Sequence, residues 1–329
     1  SNGSLTTSRT VGETSVTAVG GVATFSNVRL VGTPGAAYSL GFSAASYTGA
    51  TSGAFSVTFN TPYKLSITTQ PVADKTAQVL PTQPVVKVLD YYGNVVANDN
   101  STSVTVSISS GTGGELTGSK TVTAANGVVT FTNLALTGTP GVAYNFTFTA
   151  TSLVADTSQD VSVVAGTATK LRISVQPVGA VTGKNLATQP VIEVLDYFNN
   201  VVLADSTTNV SVAIQSGTGG DLLGNVTATA ANGVATFSGL KLKGTPLLDY
   251  TLTFSSGSLA TATSSALHVT HDASFRLVWE TQPVGGMTGN ILPTQPKLRV
   301  LDQYDNLATS DNSTTVTAGF GATDGNGTL

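Results

Sequence analysis

Between Ser103 and Ser109 apolar and polar side chains alternate, with Val104, Val106 and Ile108 on one side and Thr105 and Ser107 on the other. A period of two predicts a half-buried strand. Upstream, Lys64 to Thr69 alternates until Gln70-Pro71, where Pro71 has no N–H to give a ladder and forces its neighbour extended, so a strand ends there. Pro84 to Asp90 predicts a second strand, closed by the Gly-Asn turn chemistry of Tyr91 to Asn94. Gly111 to Gly114 predicts a loop. Thr121 to Ala124 and Val128 to Thr132 flank Asn126-Gly127, the dipeptide suited to a turn with two left-handed residues, and predict a hairpin. Gly138-Thr139-Pro140-Gly141 then turns the chain into Ala143 to Ala150, where Tyr144, Phe146 and Phe148 share a face, and a last strand runs through Val161 and Val163. No segment sustains a helical apolar period and β-branched residues abound, so the chain is expected to be all-β.

This block recurs. Gln70, Gln176 and Gln282 stand 106 residues apart, as do Phe25, Phe131 and Phe237, and Tyr38, Tyr144 and Tyr250. Roughly seven strands per copy, with turn signals every ~8–12 residues, predict tandem immunoglobulin-like β-sandwich domains in series. The boundaries fall at 1–60, the later half of a module; 61–166 and 167–272, two whole modules; and 273–329, the earlier half of another. The linkers, Val163 to Thr169 and His268 to Ser274, are short, which favours a semi-rigid string.

Within each copy the same turns agree at once: Thr82-Gln83-Pro84 leading into Val88-Leu89-Asp90-Tyr91-Tyr92-Gly93-Asn94, then Ser110-Gly111-Thr112-Gly113, then Asn126 to Phe131. The next copy repeats them as Thr188-Gln189-Pro190, Val194-Leu195-Asp196, Ser216-Gly217-Thr218-Gly219 and Asn232 to Phe237. In these segments the chain resembles the bacterial immunoglobulin-like repeats found in tandem in very large prokaryotic surface proteins and adhesins. The resemblance covers essentially the whole chain and implies a prokaryotic, extracellular, cell-surface setting, in which such repeats usually act as spacers. Tyr144, after Gly-Thr-Pro-Gly, also looks like the tyrosine corner of sandwich domains, with the ring buried and the hydroxyl hydrogen-bonded; Tyr38 and Tyr250 are expected to do likewise.

Gly3-Ser4-Leu5 matches Gly114-Glu115-Leu116, and Gly327-Thr328-Leu329 matches it again, so the sequence starts and stops at one phase of the repeat. Two readings stand: a window cut from a longer polypeptide, or subunits joined head to tail, the early strands of one completing the late strands of the next. Either yields modules in series.

Composition narrows the chemistry. Only 10% of the 329 residues are charged and the net charge is −4, which is no footprint for nucleic acid or an anionic membrane surface. Cysteine is absent and Met287 is the single methionine, a composition compatible with extracellular life. No apolar run reaches the roughly 18–20 residues of a spanning helix, so no direct membrane insertion is expected within this window.

Candidate sites are few. No nucleophile elbow or base-paired nucleophile is legible, so no catalytic residue and no enzymatic activity are expected. His268, His271 and Asp272 form a weak metal motif in a linker, without equivalents in the other copies. Asp90, Asn94 and Asp99 recur as Asp196, Asn200 and Asp205, and as Asp302, Asn306 and Asp311, oxygen-rich turns that are candidate calcium ligands but are more simply turn formers. No other cofactor is expected. Asn100 and Asn312, at equivalent turns, are the preferred candidates among the Asn-x-Ser/Thr triplets for N-glycosylation. Lys64 and Lys170 give way to Arg276, which argues against a shared isopeptide crosslink, and Trp279 stands where Ile67 and Ile173 stand, so it is expected in the core. The expected partners are copies of the chain itself in a fibre or layer. The competing expectation is an adhesin whose exposed loops, Gly111 to Gly114 and Gly217 to Gly220, bind a glycan or another cell surface.

Overall fold

A computed structural model describes residues 4–5 and 14–319. Among them every regular element is a strand, and no helix is long and apolar enough to cross a membrane. The chain divides into two compact units, Ser1–Ala165 and Gly166–Leu329.

In the first unit, the two sheets that the alternating segments predict enclose one core. Thr121–Thr123, Ser103–Ser110, Asn145–Thr149 and Asp156–Thr157 form one sheet, and Val128–Thr130, Val85–Asp90 and Pro62–Thr69 form the other. Val104, Val106, Phe146 and Phe148 from the first sheet meet Leu65, Val86, Val88 and Val129 from the second. Phe131 and Phe148 pack edge to face, ring centroids 5.5 Å apart. A small third sheet, Glu115–Thr117, Ala135–Thr137 and Gln78–Val79, supplements the expected strands.

Asn126 and Gly127 have φ of 53° and 72°, the two left-handed residues the sequence calls for. The strands on either side do not form an extended hairpin, however. Only Ala125 and Val128 bridge; Thr121–Thr123 then joins Ser103–Ser110, whereas Val128–Thr130 joins Val85–Asp90. The turn carries the chain from one layer of the sandwich to the other, because each layer offers its flanking strand a longer partner.

The second unit repeats the architecture. Ala168–Val175, Val191–Asp196 and Val234–Thr236 face a sheet ordered Ala180–Val181, Leu267–Thr270, Asp249–Ser255, Asn209–Ser216 and Thr227–Thr229. Its core gathers Ile192, Val194, Phe237, Leu252 and Phe254, and a parallel pairing of Ala180–Val181 with Leu267–Thr270 closes the sandwich.

The tyrosine corners are present. Tyr144 and Tyr250 are fully buried; Thr139 and Thr245 donate their N–H groups to the hydroxyls, which donate to the carbonyls of Thr112 and Thr218. Tyr38 is buried too and accepts from the Thr33 N–H at 2.7 Å.

Residues 14–60 and 273–319 carry shorter strand pairs. The former pair Ala37–Tyr38 with Phe55–Ser56 and Gly41–Phe42 with Ala50–Thr51, and the latter pair Arg276–Thr281 with Lys297–Leu301. Ser4–Leu5 pairs with Leu30–Val31, as Glu115–Thr117 does with Ala135–Thr137. Trp279 departs from expectation: it is 51% exposed rather than in a core. It lies opposite Leu298 on a two-stranded sheet, and no second layer covers that face among the described residues.

Candidate functional site: the joint between modules

Asp90, Asp196 and Asp302 close the strands Val85–Asp90, Val191–Asp196 and the one ending at Leu301, and each is essentially buried. A buried carboxylate is tolerated only when its lone pairs are filled. Oδ1 of each accepts two backbone N–H groups from its own turn: Tyr92 and Asn94, Phe198 and Asn200, Tyr304 and Asn306. The side-chain amide of Asn94, Asn200 or Asn306 donates to Oδ2 at 3.0–3.1 Å. These recurring Asp/Asn pairs therefore build the turn.

Oδ2 accepts one more bond, from a backbone N–H thirty residues upstream: Asn60 at 3.3 Å, Gly166 at 2.8 Å and Asp272 at 3.0 Å. Gly166 and Asp272 are linker residues and Asn60 stands at the equivalent position of the repeat, so the carboxylate that organises the turn also holds the segment entering its module. Burial raises each carboxyl's pKa, but the hydrogen bonds outweigh it and leave all three below the usual carboxylate range. The opposing bonds come, after burial, from Asn94, Asn60 and Tyr92 at Asp90; from Asn200, Gly166 and Phe198 at Asp196; and from Asn306, Asp272 and Tyr304 at Asp302.

The joint at Asp302 is the most elaborated. The Asp272 carboxylate accepts from Lys184 at 3.1 Å and Gln303 at 2.7 Å. Burial raises the Asp272 carboxyl, and bonds from Ala273, Lys184 and Gln303 bring it below its usual range. Tyr304 lies against Gly183, where a Cβ would collide with the phenol, and Lys243 sits over its ring at 5.7 Å. His271 accepts the Ser310 N–H at Nε2, while Nδ1 lies 2.6 Å from the Asp272 carbonyl, so the linker is tied on both sides. In the first unit the Asp90 joint borders a cleft of about 420 Å³ lined by Leu30, Gly32, Val57, Asn60, Tyr92 and Asn94, among others.

Asp99, Asp205 and Asp311 stand one turn further on. Each Oδ1 accepts two backbone N–H groups, from Ser101 and Thr102, Thr207 and Thr208, and Ser313 and Thr314. Asp311 accepts from Ser274 and Thr314 as well, and its carboxyl is held far below the usual range, chiefly by Ser274. Among the described residues no group of three or more His, Asp or Glu side chains is arranged around a metal position. His268 faces Asp249 at 2.9 Å rather than His271. Asn100 and Asn312 are exposed; Oδ1 of Asn100 accepts the Asn126 N–H and so steadies the Asn-Gly turn.

The loops offered as ligand sites have a structural use for their glycines. A Cβ at Gly111 or Gly114 would enter the ring of Tyr144, and one at Gly217 or Gly220 the ring of Tyr250. Two sets of residues were not legible as functional. Gln83 and Gln189 act as a substitute strand: the side-chain amide of each donates to Leu80 and Leu134, or Leu186 and Leu240, and accepts the Leu134 or Leu240 N–H. Thr76 and Thr182 exchange two hydrogen bonds with the backbone of Gly138 and Gly244. Their recurrence at the repeat period is the signal that marks them.

No protein family and no curated protein sequence matches the chain. Solved structures similar to it include a β-glycosidase from Bacteroides vulgatus, 11% identical with a TM-score of 0.27 over 64% of this chain and 25% of that one. Invasin, a bacterial integrin-binding protein, is 17% identical with a TM-score of 0.30 over 75% of this chain and 48% of that one. Domains 3–5 of the extracellular part of Drosophila OTK are 12% identical with a TM-score of 0.23 over 70% of this chain and 72% of that one. The chain thus spans about a quarter of the glycosidase, and at these scores none of the three bears on function.

Proposed function

We propose that the chain is a non-enzymatic structural segment of a prokaryotic extracellular filament, stalk or surface layer, whose work is reach and cohesion. The observation that carries this reading is the buried aspartate that recurs at each joint and holds a linker amide thirty residues before it. The clamp fixes where the first strand of each module begins, which suits a chain that presents like modules in a reproducible succession. The joint at Asp302 also interlocks polar side chains, with Lys184 and Gln303 both donating to Asp272. Electron microscopy of native material with antibodies against the chain tests the proposal: labelled beaded strands outside the cell are expected, and label confined to the cell interior would overturn it.

A further inference from the structure

We infer that Asn126 and Asn232 are masked modification sites: the folded module keeps their side-chain amides from being lost, and opening of the module commits both asparagines to an irreversible conversion into isoaspartate.

In an Asn-Gly dipeptide the backbone nitrogen attacks the preceding side chain with little hindrance, because glycine has no side chain to shield it. The deprotonated Gly127 nitrogen would attack Cγ of Asn126; the N–Cγ bond forms, the Cγ–Nδ2 bond breaks, and ammonia leaves with the proton. Water then opens the cyclic imide. Attack at the backbone carbonyl carbon leaves the chain running through Cβ and Cγ, an isoaspartate whose main chain is one methylene longer; attack at Cγ leaves an ordinary aspartate. The net exchange is amide and water for acid and ammonia, with no oxidant or cofactor.

The fold cannot dispense with the glycine of this dipeptide. Gly127 and Gly233 have φ of 72° and 75°, and a Cβ would lie 2.5 Å from the Val96 carbonyl oxygen or 2.7 Å from that of Val202. The asparagine is dispensable to the turn. Gly20-Gly21 stands at the same point of the repeat, with φ of 62° and 82°, and Val19 bridges Val22 as Ala125 does Val128 and Ala231 does Val234.

Asn126 and Asn232 are exposed, whereas Gly127 and Gly233 are buried, so the amide that can be lost is in water and the nitrogen that would displace it is not. The Gly127 N–H donates to the Asp99 carbonyl at 2.8 Å and the Gly233 N–H to that of Asp205 at 2.7 Å, while the glycine carbonyls accept from Val88 and Val194. Asp99 and Asp205 are fixed in turn, their N–H groups donating to Val96 and Val202 and each Oδ1 accepting two N–H groups. A buried, hydrogen-bonded amide loses its proton only when the structure around it opens. The same loss begins the cyclisation, so hydrogen exchange at Gly127 and conversion of Asn126 share one gate. A lengthened main chain does not fit this passage between layers, where Ala125 and Val128 already bridge across two residues. Conversion thus marks a module that has opened and keeps it from closing again.

In the test, full-length protein is held in mildly alkaline buffer, native and across a denaturant series. The peptides containing Asn126 and Asn232 are followed by mass spectrometry, and exchange at Gly127 and Gly233 is measured at residue resolution. Conversion at both sites should be at least about tenfold slower in the native protein and should rise with denaturant in step with exchange of the two glycine amides. Equal rates in native and unfolded chains, or a slow native rate that does not follow glycine exchange, overturns the inference. A variant carrying Asn126→Gly and Asn232→Gly, the residue already present at position 20, supplies a second readout. After prolonged incubation in denaturant and dilution, it should recover severalfold more native protein than the unsubstituted chain, and equal recovery overturns the inference as well.

Discussion

Replacing Asp302 by Asn separates the two tasks of the joint aspartate. An asparagine presents one carbonyl oxygen, which takes the place of Oδ1 and continues to accept from Tyr304 and Asn306, as Asx turns do. Its amide nitrogen replaces Oδ2 and meets the Asp272 N–H and the Asn306 side-chain amide as a third donor, where a charged acceptor stood at 3.0 and 3.1 Å. A hydrogen bond to a charged group contributes about 1.5–3 kcal/mol. Asp302 is 0% exposed, so water does not replace the lost acceptor. The Asp272 amide should therefore exchange with solvent roughly 10- to 150-fold faster, at ~1.4 kcal/mol per factor of ten. Hydrogen exchange at residue resolution reads this directly. The Tyr304 and Asn306 amides should keep most of their protection. If the Asp272 amide is unaffected, the clamp contributes nothing; if all three lose protection together, the aspartate serves only its own turn.

Acid should weaken the joints before the cores. Asp90, Asp196 and Asp302 have lowered pKa values in the fold, so their stabilisation is fully present above the unfolded carboxylate value near ~3.9 and is lost as pH falls through the lower folded values; melting temperature should be flat from neutrality to about pH 5 in this respect and fall below about pH 4, and a fall beginning above pH 5 would assign it to other groups. Tyr250→Phe leaves the Thr245 N–H and Thr218 carbonyl without their partner and should cost about 1–3 kcal/mol in denaturant unfolding of the second unit. Gly220→Ala places a Cβ 2.5 Å from the Tyr250 ring and should cost a similar ~1–3 kcal/mol by overpacking, with an unchanged midpoint refuting the seating of the loop on the ring. Gln189→Ala removes three hydrogen bonds to the Leu186 and Leu240 backbone and should destabilise by about 2 kcal/mol, whereas exposed Gln159→Ala should have little effect.

The sandwich was legible because its signals are local: alternation in Ser103–Ser110 and left-handed residues at Asn126-Gly127 each declare themselves within a few positions. What the flanking strands pair with was not, since a tight turn is equally compatible with a hairpin and with a passage between layers. Trp279 misled for a related reason, because the position is a core position only where a second layer exists. The joint was half visible. Asp90, Asp196 and Asp302 announce themselves by recurrence, but their linker partners are Asn60, Gly166 and Asp272, three different residues, because a backbone N–H is supplied by any residue but proline and leaves no mark in the sequence. Gly111 and Gly217 likewise read as free loop until the tyrosine ring beneath them is seen.

In each whole module the early segment runs parallel to the last strand: the Thr76 N–H donates to Val164 and the Val164 N–H to Asp74, and in the next module the Thr182 N–H donates to Thr270 beside the Ala180–Val181 pairing. Parallel neighbours at the entry and exit of a domain are dragged past one another when its ends are pulled apart. The bonds between them are then sheared together instead of being unzipped one at a time, a geometry in which this short clasp shares any load placed across the ends of the module.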